Sequence, residues 1–157
     1  MEKKPFFIFI IMIVWILIAV FYIFRTAYLV YLFQNFNDMF NLHSIEMYSA
    51  QVFSYISNIL YSLFFIVVSL ILALFSFIKK GWTWIFGLMI SSYLLLSNGF
   101  ESINLLGVSI IGDRFNNIFG EMFYTLYFIS MIALTILAII IIVLSFNPSV
   151  KSYFGKT

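Results

Sequence analysis

An all-α integral membrane four-helix bundle is the fold this sequence predicts, on three observations. The chain of 157 residues is 64% hydrophobic and only 9% charged, where soluble domains carry about a quarter charged residues. Its apolar residues fall into four continuous runs, each long enough to cross a hydrocarbon core of about 30 Å, which takes about 20 helical residues. Its six lysines cluster at the boundaries of those runs and nowhere else. The runs do not alternate as strands of a barrel would, and a lipid environment leaves helices as the remaining way to satisfy the backbone.

The first helix is predicted over residues 5–33. It opens on "MEKKPFFIFIIMIVWILIAVFYIF", basic like a secretory signal, but with an apolar run of about 20 residues where a cleaved signal has about 7–15. No small-x-small cleavage pattern follows, so the segment reads as a retained span. Pro5 sits where the first turn has no N–H partner to lose.

A connection over residues 34–46 leads to a second helix over 47–78. Its polar and small residues, Gln51, Ser54, Asn58, Ser62, Ser69, Ala73 and Ser76, recur at spacings of three, four and seven and return to one narrow face. After the turn 79–81 comes a third helix over 82–106, with Gly87, Ser91, Asn98 and Ser102 on one face. A turn that short predicts antiparallel neighbours, with Ala73 opposite Gly87, Ser69 opposite Ser91, Ser62 opposite Asn98 and Asn58 opposite Ser102. The matched levels read as a packing seam, since small residues permit close approach in lipid. A hydrophilic pathway through the membrane is the competing reading. A second connection over 107–117, with Gly112-Asp113 as a turn, leads to the fourth helix over 118–146.

Lys3 and Lys4 precede the first span, Lys79 and Lys80 fall between the second and third, and Lys151 and Lys156 follow the fourth. All three pairs therefore share one face, and the positive-inside rule makes it the cytoplasmic face of the cell membrane, with both termini inside. Asp38, Glu46, Glu101, Asp113 and Glu121 then fall on the outer half. Trp82 and Trp84 mark the inner boundary, while the tyrosines at 28, 31, 48, 55, 61, 93, 124 and 127 concentrate toward the outside as an interfacial belt. A quinone or lipid pocket among them is the alternative, and composition does not separate the two.

Several chemistries are excluded or left without support. Absence of cysteine removes disulfides and thiolate sites. A net charge of +2 gives no footprint for nucleic acid. No ionisable residue is placed near the midplane, where proton relays and coupled transport sites carry one. A single histidine excludes a bis-histidine haem held by this chain alone, and no phosphate loop, nucleophile elbow or His-Glu-x-x-His pattern occurs. No catalytic residue and no cofactor is predicted.

Two outer clusters remain. Arg25 and Glu101 fall at the same depth on helices one and three, so they are expected to pair, with Asn98 or Asn104 completing the hydrogen bonds and Glu121 nearby. An anion site at Arg25 is the functional alternative. His43 and Glu46, three apart, allow a weak metal site to be drawn, while a solvated helix start explains the same residues.

The phrases "FNDMFN" at 36–41 and "FNNIFG" at 115–120 each precede a returning span. One helical turn in either would aim its two phenylalanines into the interface, as a surface anchor. Functionally, the sequence favours a structural or accessory subunit of a larger membrane complex, in contact with lipid and with other subunits or copies of itself. The alternatives are an oligomeric small-solute carrier or channel and an outer-face membrane enzyme or metal protein.

Overall fold

The computed structural model describes residues 6–34, 45–78, 81–111 and 118–155, and their side chains except those of 32, 45–51, 104–111 and 118–124. The described residues are helical almost throughout. Four long helices follow one another: α1 (Phe6–Gln34), α2 (Ile45–Phe77), α3 (Gly81–Ile111) and α4 (Ile118–Ser145). A short α5 (Pro148–Tyr153) completes the order. Each long helix contains an apolar stretch of 21 to 26 residues, enough to cross a bilayer. α3 runs past the predicted end at 106 to Ile111.

In lipid the outside of a bundle is as apolar as its inside, so burial is decided by size and polarity rather than by hydrophobicity. The buried positions show how. In α1 the run Ile8, Ile11, Trp15, Ile18, Tyr22, Arg25 and Leu29 alternates steps of three and four, with Val14 and Ala19 buried beside it. α2 carries the same alternation in Ser62, Phe65, Ser69, Leu72 and Ser76, with Ala73 beside it, and α4 in Met131, Leu134, Ala138, Ile141 and Ser145, with Ser130 and Leu137 beside it. A 3.5-residue repeat of this kind keeps one face of each helix turned toward its neighbours along the length of the bundle. On α3 the buried face, Thr83, Gly87, Ser91, Leu94, Asn98 and Ser102, steps mostly by four. The opposite faces expose Phe24, Leu60, Leu96 and Ile136, side chains compatible with acyl chains.

Packing runs from α2 to α1, from α1 to α4 and from α4 to α3, whereas α2 and α3 touch over a short stretch. This corrects the expectation of a polar seam between helices two and three. The short turn brings their ends together, but the serines seven apart on α2 form a shallow face for the bulky α1, and α2 seats there instead. Across the bundle from α1, a Cβ added at Gly87 of α3 would stand 3.7 Å from the ring of Trp15. On its α4 side, a Cβ at Gly99 would stand 3.8 Å from Thr135.

At the end of the bundle that holds the turn, α5 is folded under the helices, an element absent from the prediction. Asn147 caps it, accepting from the Ser149 N–H at 2.9 Å, and Pro148 occupies the first turn. Val150, Tyr153 and Phe154 join the core. The Tyr153 hydroxyl donates to the Phe77 carbonyl at 3.3 Å, and Trp84 Nε1 donates to the Ser145 carbonyl at 2.9 Å. A Cβ at Gly81 would come within 3.2 Å of the Phe154 carbonyl oxygen, so the start of α3 is closely seated on the chain after α5. Trp82, by contrast, is exposed and packs on Phe75 and Phe86.

A buried arginine cluster as the candidate functional site

The seam of α1 changes character at its sixth position, where the repeat that delivers Ile18 and Tyr22 inward delivers Arg25. The side chain is 3% exposed. One terminal nitrogen, Nη1, donates to Asn98 Oδ1 at 3.3 Å and to the Met131 sulfur at 3.5 Å. The other, Nη2, donates to Glu101 Oε2 at 3.3 Å, forming an ion pair whose carboxylate side is 36% exposed. Tyr127 donates its hydroxyl to the second oxygen of Glu101.

Asn98 and Glu101 are three apart on α3 and therefore share a face, while Tyr127 and Met131, four apart on α4, share another. Arg25 of α1 thus meets both helices through charge-assisted hydrogen bonds, which are roughly twice as strong as neutral ones.

An aromatic layer surrounds the cation. The guanidinium carbon lies 5.4 Å from the ring centre of Tyr61, 5.6 Å from that of Tyr127 and 5.8 Å from that of Tyr22, each within cation–π range. Beside them Tyr22 stacks on Phe65 at 5.3 Å, and Phe65 stacks on Tyr93 at 5.8 Å with planes 5° apart. The layer therefore links α1, α2 and α3. Asn98 Nδ2 donates to both the Tyr22 hydroxyl (3.3 Å) and the Leu94 carbonyl (3.0 Å). Tyr61 and Ser97 share a hydrogen bond of 3.3 Å between α2 and α3.

The stripe residues behave differently from one another. Ser62 and Ser102 are buried and turn back to the carbonyls of Asn58 and Asn98, at 2.9 and 2.7 Å. Asn58 donates to the Ser54 carbonyl at 2.9 Å rather than across to Ser102. Such bonds to the preceding turn satisfy a polar side chain in lipid without a second helix. Ser69 and Ser91 are fully buried, and their hydroxyls have no hydrogen-bond partner. They are therefore not joined as the level-by-level pairing predicts, and Ser62 does not bond Asn98. Asn98 instead reaches α1, because that is where the arginine and the Tyr22 hydroxyl lie.

Of the other predicted residues, His43 lies outside the described residues, as do the side chains of Glu46, Asn104 and Glu121. "FNDMFN" falls there entirely, and in "FNNIFG" residues 118–120 open α4 with their side chains outside the description. Among the described residues, no three metal-ligating side chains converge. Tyr22 and Met131 are the participants that the sequence reading missed. Tyr22 carries a signal in retrospect, since it precedes Arg25 by three and shares its face.

Four long apolar helices, with a buried arginine paired to Glu101 among them, define the class: a multi-pass helical membrane protein. Beyond the class, no protein-family model matches the chain, and neither the curated proteins nor the solved structures give a match.

Proposed function

We propose that this protein is an accessory subunit of a larger membrane complex. Its helices cross the cell membrane in antiparallel order, with both termini on the cytoplasmic face and the Arg25 cluster in the outer half. The observation that carries this reading is the closure of the charged cluster. Glu101 and the Arg25 terminal nitrogens are engaged with Asn98, Met131 and Tyr127, which ties α1 to α3 and α4. A group so engaged supports the bundle; a transport site or acid–base catalyst needs its ionisable group free to change partners.

The outer surface favours protein neighbours in addition to lipid. Ser54 and Ser57 of α2 and Ser92 of α3 are exposed within the apolar spans. Hydroxyls at that depth suit a hydrogen-bonding helix better than acyl chains.

Extraction of native membranes in a mild detergent tests the proposal. The chain is expected to migrate with other membrane subunits on a native gel and to cross-link to them. Recovery as an isolated, monodisperse monomer with no cross-linked neighbour rejects it.

A further inference from the structure

At the end of the bundle that holds the α2–α3 turn, the helices close on a small pocket of about 10 Å³. That is close to the minimum of about 10–15 Å³ that admits one water molecule. Trp15, Ile141 and Phe154 give it apolar walls, and three hydroxyl-bearing side chains line it from three helices: Ser76 of α2, Thr83 of α3 and Ser145 of α4. All three are buried.

Thr83 sets the requirement. Its Oγ1 is shielded from solvent and has no hydrogen-bond partner within the protein, and its place in the chain explains why. Ser62 and Ser102 lie deep in their helices and turn back to a carbonyl four residues earlier. Thr83 is only the third residue of α3, so no preceding turn of that helix offers it a carbonyl. Trp84 does not relieve it, because its Nε1 donates to the Ser145 carbonyl. Ser69 and Ser91 carry unpartnered hydroxyls as well, but neither lines this pocket. Thr83 differs from them in opening onto a space that a small polar molecule fits. The lining carries no carboxylate or imidazole, so nothing in it would offset the charge of a cation.

We propose that the pocket holds one ordered water molecule, which accepts a hydrogen bond from the Thr83 hydroxyl and donates to those of Ser76 and Ser145. Three bonds are the usual number for a buried water, and each hydroxyl can both donate and accept. The water fastens α2, α3 and α4 to one another at this end, where it supplements the short stretch over which α2 and α3 touch. Phe154, just past α5, closes the pocket over it. The inference is independent of the accessory-subunit reading.

Thr83→Val keeps the shape of the side chain and removes the hydroxyl, so thermal unfolding of the purified chain in detergent tests the proposal by the sign of the change. With the water in place the variant deprives it of a partner, and Tm is expected to fall by about 2–4 °C. In a dry pocket the same variant removes an unsatisfied hydroxyl, which leaves Tm unchanged or raises it. Ser91→Ala is the internal control: it removes an unpartnered hydroxyl that does not line the pocket, and is expected to leave Tm unchanged or to raise it. Ser76→Ala combined with Thr83→Val is expected to lower Tm by less than the sum of the two single variants, because both act through one molecule. A structure at a resolution that shows ordered waters is expected to place one within about 3 Å of Thr83 Oγ1. An unchanged or raised Tm for Thr83→Val overturns the proposal, as do additive effects of the pair or a pocket without water density.

Discussion

Arg25 shows how a charge is kept at membrane depth. An arginine at the centre of an apolar span costs about 2.5–3.5 kcal/mol on insertion scales; Arg25 stands nearer the end of its span, and the cost falls further when its donors find acceptors and its charge finds a partner. Here Glu101 supplies the charge, Asn98 and Met131 accept, and three tyrosine rings surround the carbon at 5.4–5.8 Å. Because Glu101 is 36% exposed, the pair is weaker than a fully buried one. Glu101→Gln retains a partner for Tyr127 but leaves the cation uncompensated. It is therefore expected to destabilise the protein by about 1–3 kcal/mol, measured by unfolding in detergent; unchanged stability would remove the pair from any structural role. At this scale the sequence was partly informative. Equal depth and opposite sign brought Arg25 and Glu101 together on paper, but depth alone does not say which face of a uniformly apolar helix turns inward, and so Tyr22 and Met131 stayed invisible.

Among the elements, α2 is the instructive one. Ser62, Ser69 and Ser76 stand seven apart and buried, and a face of that shape is complementary to one rich in large residues. α1 has such a face, with Trp15, Ile18 and Tyr22, all virtually unexposed. Ser69→Leu would push α1 from its seat, with an expected loss of about 1–3 kcal/mol from overpacking. Ser92→Leu, on the exposed side of α3, is expected to stay within about 0.5 kcal/mol of wild type. Helix melting followed by circular dichroism distinguishes the two, and equal effects would show that the α1–α2 seam is not tightly packed.

The small-residue stripe was readable as such from the sequence, because serines stand out in an apolar run. Its partner was not. A three-residue turn identifies the nearest helix in the chain, while the packed neighbour is chosen by shape, and α1 is apolar on every side and announces no face. α5 was missed for a related reason: six residues give no periodicity, and the signal present in Asn147-Pro148 is a cap followed by a helix-starting proline.

For the molecule as a whole, the four spans were the most legible feature, since length and continuity of apolar residues dictate them directly. The proposed orientation rests on the lysines and has a convenient test, because the chain contains no cysteine and any introduced thiol reports alone. Cysteines replacing Lys79 and Lys156 are expected to react with a membrane-impermeant maleimide only after the cells are opened. Those replacing Asp38 and Gly112 are expected to react in intact cells. The opposite pattern would invert the protein, and a mixed one would break the four-span topology.

Synthesis adds a consequence to the arginine's partnership. Arg25 and Glu101 are separated by 76 positions, so at about 5–20 residues per second the first helix is made roughly 4–15 s before its counter-charge exists. For that interval the guanidinium must lean toward the headgroups or be sheltered by the insertion machinery, and α1 with α2 is an unfinished half. A nascent chain stopped at residue 80 is predicted to be held in the bilayer less firmly than the full chain, and alkaline extraction of such truncated products would measure it. Arrival of α3 is then the step that commits the first helix to its final depth.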